Sequence, residues 1–559
     1  MDSYIKAFRW STDRLDKNGG IISFISNGAW LDGNSTDGFR KCLEKEFTSI
    51  YIFNLRGNAR TSGELRQKEG GGVFGLGSRT PISITLLVKN PDSKNKTAKI
   101  FYHDIGDYLS QQEKLAIIKS FHSISNENMN LIELTPNEQG DWLNQRNNIF
   151  EDLIPLGDKE DKKNISTFFI PYYGRGIASS RDAWVYNSSR VNLVSNINKT
   201  IEFYNLQKNI FITHKQSNSS IKIEDVLNYD STKISWGREF SRDVNKNIDY
   251  VFKENCIVNG FYRPFFKQYL YFAKEMHGDV YQLPKLFPNK KTKNLVICAT
   301  GVGASKDFSL LITDCVPDLQ LQFNGQCFPL YYYEERKIEQ KSLFDSDEDG
   351  DGDSQYISRD GISNFIFERA QKQYGKNVTK EDIFYYVYGF LHSPEYREMF
   401  ANDLKKMLPR LPLLEDVREF WAFSKAGRKL AELHINYESV PAFEGVTVKG
   451  VESGFFNVQK MRFPKKDQKD TIIFNSKITI ENIPAQAYEY VVNGKSAIEW
   501  IMERYQVTTH KESQIKNDPN DWAEEVGNPR YILDLLLSII NVSIQTTEIV
   551  KGLPKVKFE

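Results

Sequence analysis

GGIISFIS at residues 19–26, IYIFNL at 50–55 and ISITLLV at 82–88 are three apolar runs of strand length, and their reading decides the fold. Short apolar runs bounded by turn signals describe buried strands. Upstream of the first, residues 4–15 set Tyr4, Phe8, Ser11 and Leu15 on one face at helical spacing, and Gly19-Gly20 stops that helix. Residues 39–47 predict a second helix between the first two strands. Helix–strand–helix–strand order with buried strands implies α/β layering. The pattern begins midway, as though earlier strands were missing, so the partial sheet is expected to carry an unpaired flank, which invites association.

Working outward, residues 91–161 turn polar, with one predicted helix at 113–121 and a charged linker at 157–164. From Phe168 onward short aromatic-rich strands alternate with helices. Residues 381–391, 394–408 and 421–433 read as helices, the second ended by Pro409 and Pro412; two more are expected at 496–505 and 531–540. There is no internal repeat. The 559 residues exceed one hydrophobic core and suggest roughly three or four units. An apolar fraction of 40% with 26% charge describes a soluble globular chain. No run approaches the roughly 18 uninterrupted apolar residues of a membrane helix, and MDSYIKAFRW lacks a signal peptide's apolar run. Five scattered cysteines without a CxxC pair indicate neither a zinc site nor a disulfide framework; reduced thiols fit a cytoplasmic protein.

Zero net charge hides an uneven distribution. Residues 260–306 hold eight Lys/Arg against two acids, whereas residues 345–353 hold six acids and no base. Local charge governs phosphate attraction, because salt screens beyond about 10 Å.

Several motifs fail on context. Gly70, Gly72 and Gly75 match GxGxxG, but a strand follows them where a dinucleotide site needs a helix. Asp345, Asp347, Asp349 and Gly350 have calcium-loop spacing, yet the twelfth position is Tyr356 rather than Glu. Asn493-Gly494-Lys495-Ser496 ends like a phosphate loop, with Glu489 where the first Gly belongs. Pro317-Asp318 with Glu335 and Lys337 resembles a loose metal-nuclease pattern, which chance readily produces in a charged chain. The seven histidines show no ligand spacing, and no catalytic or metal-binding residue is assigned.

Longer strings carry more. YIKAFRWSTDRL, GGIISFISNGAWLDG, IFNLRGN and EGGGVFGLGSRTPISITLLVKN, followed by SSRDAWVYN, FYRPFFKQYLYF, CFPLYYYE, EDIFYYVYGFLHSPEYRE, NGKSAIEWIMERYQV and NDPNDW, occur in this order. In these segments the chain resembles type ISP restriction-modification enzymes, single polypeptides carrying nuclease, translocase, adenine-N6 methyltransferase and target recognition parts. The resemblance implies an incomplete Rossmann-like methyltransferase portion over residues 1–160. A large mixed α/β specificity region follows over residues 161–559, with a subdomain break near residues 345–354. It also implies double-stranded DNA as partner and S-adenosylmethionine as methyl donor of the complete enzyme. The methyltransferase's (N/D/S)PP(Y/F/W) loop has no counterpart, since no Pro-Pro occurs. Alone, the chain is then expected neither to bind the donor nor to methylate. An upstream polypeptide would supply the missing parts; the alternative is a non-enzymatic DNA-binding remnant.

Methylating an adenine in a duplex requires the base to be extruded, and an extruded base needs an aromatic wall. The resemblance assigns that role to Phe74, after three glycines that would let the backbone approach the base; the alternative is a core Phe. Arg263, Lys267, Lys285, Lys290, Lys291 and Lys293 are the phosphate-contact candidates, with Lys274 and Lys306 in the same basic stretch. Its aromatics Phe265, Phe266, Tyr269 and Phe272 are expected to build core. Arg175, Arg181, Asn187 and Arg190 are base-reading candidates by residue type, in sequence that looks like loop. An Arg181–Asp182 salt bridge is the competing reading.

Overall fold

The three apolar runs pair in a single sheet. The computed structural model describes residues 2–558 except 16–17, 62, 76, 162, 171, 305 and 337–354. It places α1 at Ser3–Thr12, β1 at Gly20–Asn27, α2 at Asp37–Glu46, β2 at Ser49–Arg56, α3 at Gly63–Glu69 and β3 at Ile82–Lys89. β4 (Lys99–Asp104), α4 (Gln111–Phe121) and β5 (Ile132–Leu134) follow. The strand order is β1-β3-β2-β4-β5. β3 runs antiparallel to both neighbours, with Ile25 opposite Ile84 and Ile50 opposite Leu87. β1 and β2 are therefore parallel to each other, with α2 in the connection that parallel strands require. β2 and β4 also pair in parallel. The architecture is mixed helix and strand, as the sequence implied.

β3 is paired on both sides, and its burial alternates: Ser83, Thr85 and Leu87 are buried, while Ile84, Leu86 and Val88 are half-buried. Neighbouring β2 side chains serve opposite cores: Ile52 joins Phe8, Trp30 and Trp142, while Phe53 joins Ile105 and Met129. β1 has only β3 as partner among the described residues, and its Ile21 and Ile25 stand 66% and 59% exposed. β4 escaped the sequence reading. KIFYHD looks polar, yet its alternate residues Ile100 and Tyr102 are buried and its backbone is completed by β2.

This first compact unit comprises Met1–Asp152 together with Val302–Asp307 and Phe400–Met407. A buried charge network explains why 400–407 belongs here. Lys406 Nζ lies 2.9 Å from Asp32 and 3.2 Å from Asp141, and Arg146 reaches Asp141 at 2.8 Å. Burial alone would raise the Asp141 carboxyl, but hydrogen bonds from Arg146 and Asn137 and the charge of Lys406 hold it at about 2. The single helix expected over 394–408 is consequently two short ones, Pro394–Met399 and Ala401–Lys406.

The second unit covers Leu153–Gly301, Phe308–Met399 and Leu408–Glu559. It holds two four-stranded sheets. One contains Ile257–Arg263, Phe266–Tyr271, Tyr186–Asn187 and Val316–Pro317; the other contains Leu310–Thr313, Val296–Ala299, Gln326–Pro329 and Gly174–Arg175. Helices Lys380–Phe390 and Val417–Ile435 pack backbone to backbone through Gly389 and Gly427, where a Cβ would collide with the Phe423 and Tyr385 carbonyl oxygens. The helix expected at 531–540 runs over Tyr531–Lys551. It is long and apolar enough to cross a membrane, yet Leu533, Leu536, Ile539 and Ile540 are buried in this unit's core.

Candidate nucleic-acid interface

Arg190, expected in loop, instead opens a 28-residue helix, Arg190–Ser217, and the other base-reading candidates precede it in sequence. Its buried stripe runs Leu193, Ile197, Ile201, Tyr204 and Phe211 at helical spacing, but includes Thr200, Gln207 and Lys208, while Val191 and Leu206 face outward. Polar residues in the stripe and apolar ones outside it blur the periodicity. Ser189 caps the helix by accepting from Asn192 N at 3.1 Å, and the Glu525 carboxylate accepts the Arg190 N–H at 3.0 Å.

Arg190 sits at one wall of a cleft of about 750 Å³ whose lining includes Lys267, Tyr269, Asn289, Lys290 and Lys291. Its guanidinium pairs with Glu254, whose carbonyl accepts from Lys290 Nζ at 3.2 Å. The lysine turn is fixed rather than loose. Asn289 Oδ1 accepts the N–H groups of Lys291 and Thr292 at 2.8 and 3.0 Å, an Asx turn that presents Lys290, Lys291 and Lys293 as exposed side chains. Lys285 is exposed nearby in sequence, its ammonium 3.7 Å from the Tyr172 ring centroid.

Four other candidates are committed inside the protein. Arg263 lies between Asp318 at 2.7 Å and Asp182 at 3.2 Å, over the Tyr262 ring. Burial pushes the Asp318 carboxyl up, and Arg263 pulls it back down. Lys267, which lines the cleft, forms a 2.7 Å ion pair with Glu438; burial opposes its charge, and Glu438 outweighs that effect. Arg181 is buried, paired with Glu239 rather than Asp182, and donates to Met276 O at 2.8 Å. Asn187 is buried, with Oδ1 accepting Ser189 N at 2.9 Å and Nδ2 donating to Lys516 O at 3.2 Å. Arg181 and Asn187 are buried with their polar atoms engaged, whereas Arg263 and Lys267 are ion-paired but partly exposed, Lys267 lining the cleft. Arg175 is partly exposed, against Tyr281.

Residue types suited to base edges also gather where the sequence reading did not look. The hairpin formed by Thr508–Thr509 and Lys516–Asn517 separates two further clefts. One, of about 670 Å³, is lined by Gln506, Thr508 and His510; the other, of about 770 Å³, by Asn192, Asn196 and Lys199. Recognising the Arg190–Ser217 helix would have placed Asn192, Asn196 and Lys199 on one face.

Phe74 follows the Gly70–Gly72 run and is 51% exposed. A Cβ on Gly71 would lie 2.6 Å from Gln111 N, and one on Gly70 would strike Leu109 O. These two glycines thus serve a close approach to the start of α4, whereas Gly75 faces open space. The loop is further anchored by Gln111 Nε2 donating to Val73 O at 2.8 Å and by buried Lys114 donating to the Leu55 and Glu69 carbonyls.

The rejected motifs have structural explanations. The GxGxxG loop runs from helix α3 into strand β3. Asn493 and Gly494, both at positive φ, form the turn of a hairpin, and Ser496 caps helix Ala497–Arg504. Asp318 is buried beside Arg263, Glu335 lies on a separate hairpin, and no cluster of three potential metal ligands exists among the described residues. Lys337 and the acidic run fall outside the described residues.

Comparison with known proteins gives the chain its class. Residues 168–535 match the type ISP C-terminal specificity domain. The chain therefore belongs to the type ISP restriction-modification enzymes. It is similar over 99% of its length to a nuclease-deletion mutant of the type ISP enzyme LlaGI in complex with a DNA substrate mimic (40% identity, TM-score 0.84). It matches the ATP-dependent type ISP enzyme LlaBIII bound to DNA over its full length (36% identity, TM-score 0.86). A third structure, a DrdV–DNA complex, matches over 99% (29% identity, TM-score 0.82). The chain spans 40% of the LlaGI chain, 34% of LlaBIII and 52% of DrdV. No curated protein sequence matches it.

Proposed function

We propose that this chain recognises a specific sequence in double-stranded DNA, as the target recognition part of a type ISP restriction-modification enzyme acting in the cytoplasm. The observation that carries this is the near-full-length likeness to LlaGI and LlaBIII, both in complexes with DNA or its mimic. Lys285, Lys290, Lys291 and Lys293 supply phosphate contacts, and Arg190 and Arg175 are the remaining base-reading side chains of the original set. Selection from a randomised duplex pool tests the reading. The chain, alone or with the upstream part of the enzyme, should enrich one short sequence; uniform recovery of the pool under both conditions would rule recognition out.

Residues 1–160 are, in this proposal, the later portion of an adenine-N6 methyltransferase domain, and residues 161–559 the specificity domain. The exposed side chains and available edge of β1 suit addition of the strands that precede it in a complete Rossmann-like sheet. S-adenosylmethionine would serve the complete enzyme, its pocket built by polypeptide beyond these residues. Phe74, held out from an anchored loop, stacks on the extruded adenine. In the complete enzyme, Phe74→Ala should weaken that state by about 1–3 kcal/mol and dim the signal of 2-aminopurine at the target base. An unchanged signal and methylation rate would remove Phe74 from the site.

A further inference from the structure

An exposed aromatic in a strongly basic setting lies outside all the candidates above. Residues 449–477 contain seven Lys/Arg against three Asp/Glu. Lys449 and Lys469 pair with Glu481 and Glu499, but among the described residues no ion pair engages Lys460, Arg462, Lys465, Lys466 or Lys477, all of them exposed. The backbone is built from Thr447–Lys449, Ile472–Ile473 and Thr479–Glu481, one three-stranded sheet. Met461 is buried between Lys460 and Arg462, so the two cations point away from the core, and an Arg462–Ile473 bridge fixes the segment.

From this sheet projects the turn Gly450–Phe455. Gly450 and Gly454 adopt φ of 84° and 64°. At Gly450 a Cβ would strike the Lys477 carbonyl oxygen, so glycine is required there. Ser453 Oγ donates to Gly450 O at 2.7 Å, and Asn475 Nδ2 donates to the carbonyls of Phe455 and Asn457 at 2.9 and 3.1 Å. The next residue, Phe456, packs against the core, whereas Phe455 is 45% exposed. A large ring kept out of the core on a clamped turn forgoes burial, and the stretch that holds it carries a net positive charge of four, seven Lys/Arg less three Asp/Glu. Flat apolar faces alternating with phosphates are what a nucleic acid offers such a surface.

We propose that Phe455 stacks against a DNA base at the recognised site, inserting at a base step, while Lys460, Arg462, Lys465, Lys466 and Lys477 hold the flanking phosphates. This inference rests on the sequence-recognition reading and adds a second contact surface to it. Wedging of an apolar side chain between bases unstacks the step and bends the duplex.

The test uses the full chain and the duplex enriched by selection, with 2-aminopurine moved step by step along it. Wild type should brighten the probe at one position. Phe455→Ala should abolish that signal and weaken binding roughly five- to a hundred-fold, with the salt slope kept, and Phe455→Trp should restore binding. Lys465→Ala with Lys466→Ala should lower the salt slope by about two. Enrichment by wild type with no bright position, or identical behaviour of Phe455→Ala, overturns the inference and leaves recognition standing. Failure of wild type to enrich any duplex instead strikes the recognition reading. Binding to phosphatidylserine vesicles that the lysine pair abolishes, with DNA binding untouched, would assign the surface to a membrane and also overturn the inference.

Discussion

Arg263 and Lys267 on one side, and Lys290, Lys291 and Lys293 on the other, come from one basic stretch and meet opposite fates. The first two alternate with Phe261, Phe265 and Phe266 in a buried sheet and are neutralised by Asp318, Asp182 and Glu438. The last three follow Pro288 on a turn that Asn289 braces, with exposed side chains. Charge density along a sequence therefore measures supply, not availability. A cation flanked by large apolar residues needs a buried counter-charge from elsewhere in the chain, and the sequence does not reveal that partner.

The sharpest way to break this contrast is to remove Arg263. Arg263→Ala leaves the buried Asp318 without its cation, with the partly exposed Asp182 beside it, so denaturant unfolding should show a loss of about 3–5 kcal/mol. A loss within about 0.5 kcal/mol, the usual range for a surface change, together with a lower salt slope of DNA binding, would return Arg263 to the phosphate-contact set.

His277, in the same stretch, gives the next effect. Burial pushes its imidazole down to about 4, against the hydrogen bond to Tyr271 O. The unfolded chain then binds a proton between pH 6.5 and 4 that the folded protein refuses. Stability is present above about pH 6.5 and declines as pH falls toward 4, by roughly 3 kcal/mol from this group. Buried His392 and His434 act in the same direction, so His277→Asn should flatten the acid limb in part. An unaltered limb would show that His277 is not held neutral.

The smallest effect on the fold belongs to the exposed set. Lys290→Ala with Lys291→Ala should leave unfolding unchanged within about 0.5 kcal/mol, yet lower the salt slope of DNA binding by about one per lysine. An unchanged slope would make that turn a solvated surface and leave the phosphate contacts to be found elsewhere, with the Lys460–Lys477 region the next candidate.

The strands of the first unit were legible because each is an apolar run of strand length: β3 pairs on both edges and its sequence ISITLLVK reads as a strand by itself. β4 was not, because pairing with β2 and β5, distant in sequence, makes KIFYHD a strand. The Arg190–Ser217 helix was missed because Thr200, Gln207 and Lys208 interrupt its buried stripe. That omission carried over to the site, turning Arg190 into a loop residue and hiding Asn192 and Asn196. Phe74 and the lysine turn were legible as exposed features, since glycine and Asx signals around them are local.

The sequence by itself determined the family, the mixed helix-and-strand character and the position of the basic stretch, because these rest on residue order and short-range pattern. Tertiary structure alone decided which cations remain exposed, why 400–407 joins the first unit through Lys406, Asp32 and Asp141, and where Phe455 stands clear of Phe456. The physical reason is that a charge's availability is set by its partner and its burial, and both are supplied by residues far away in the chain.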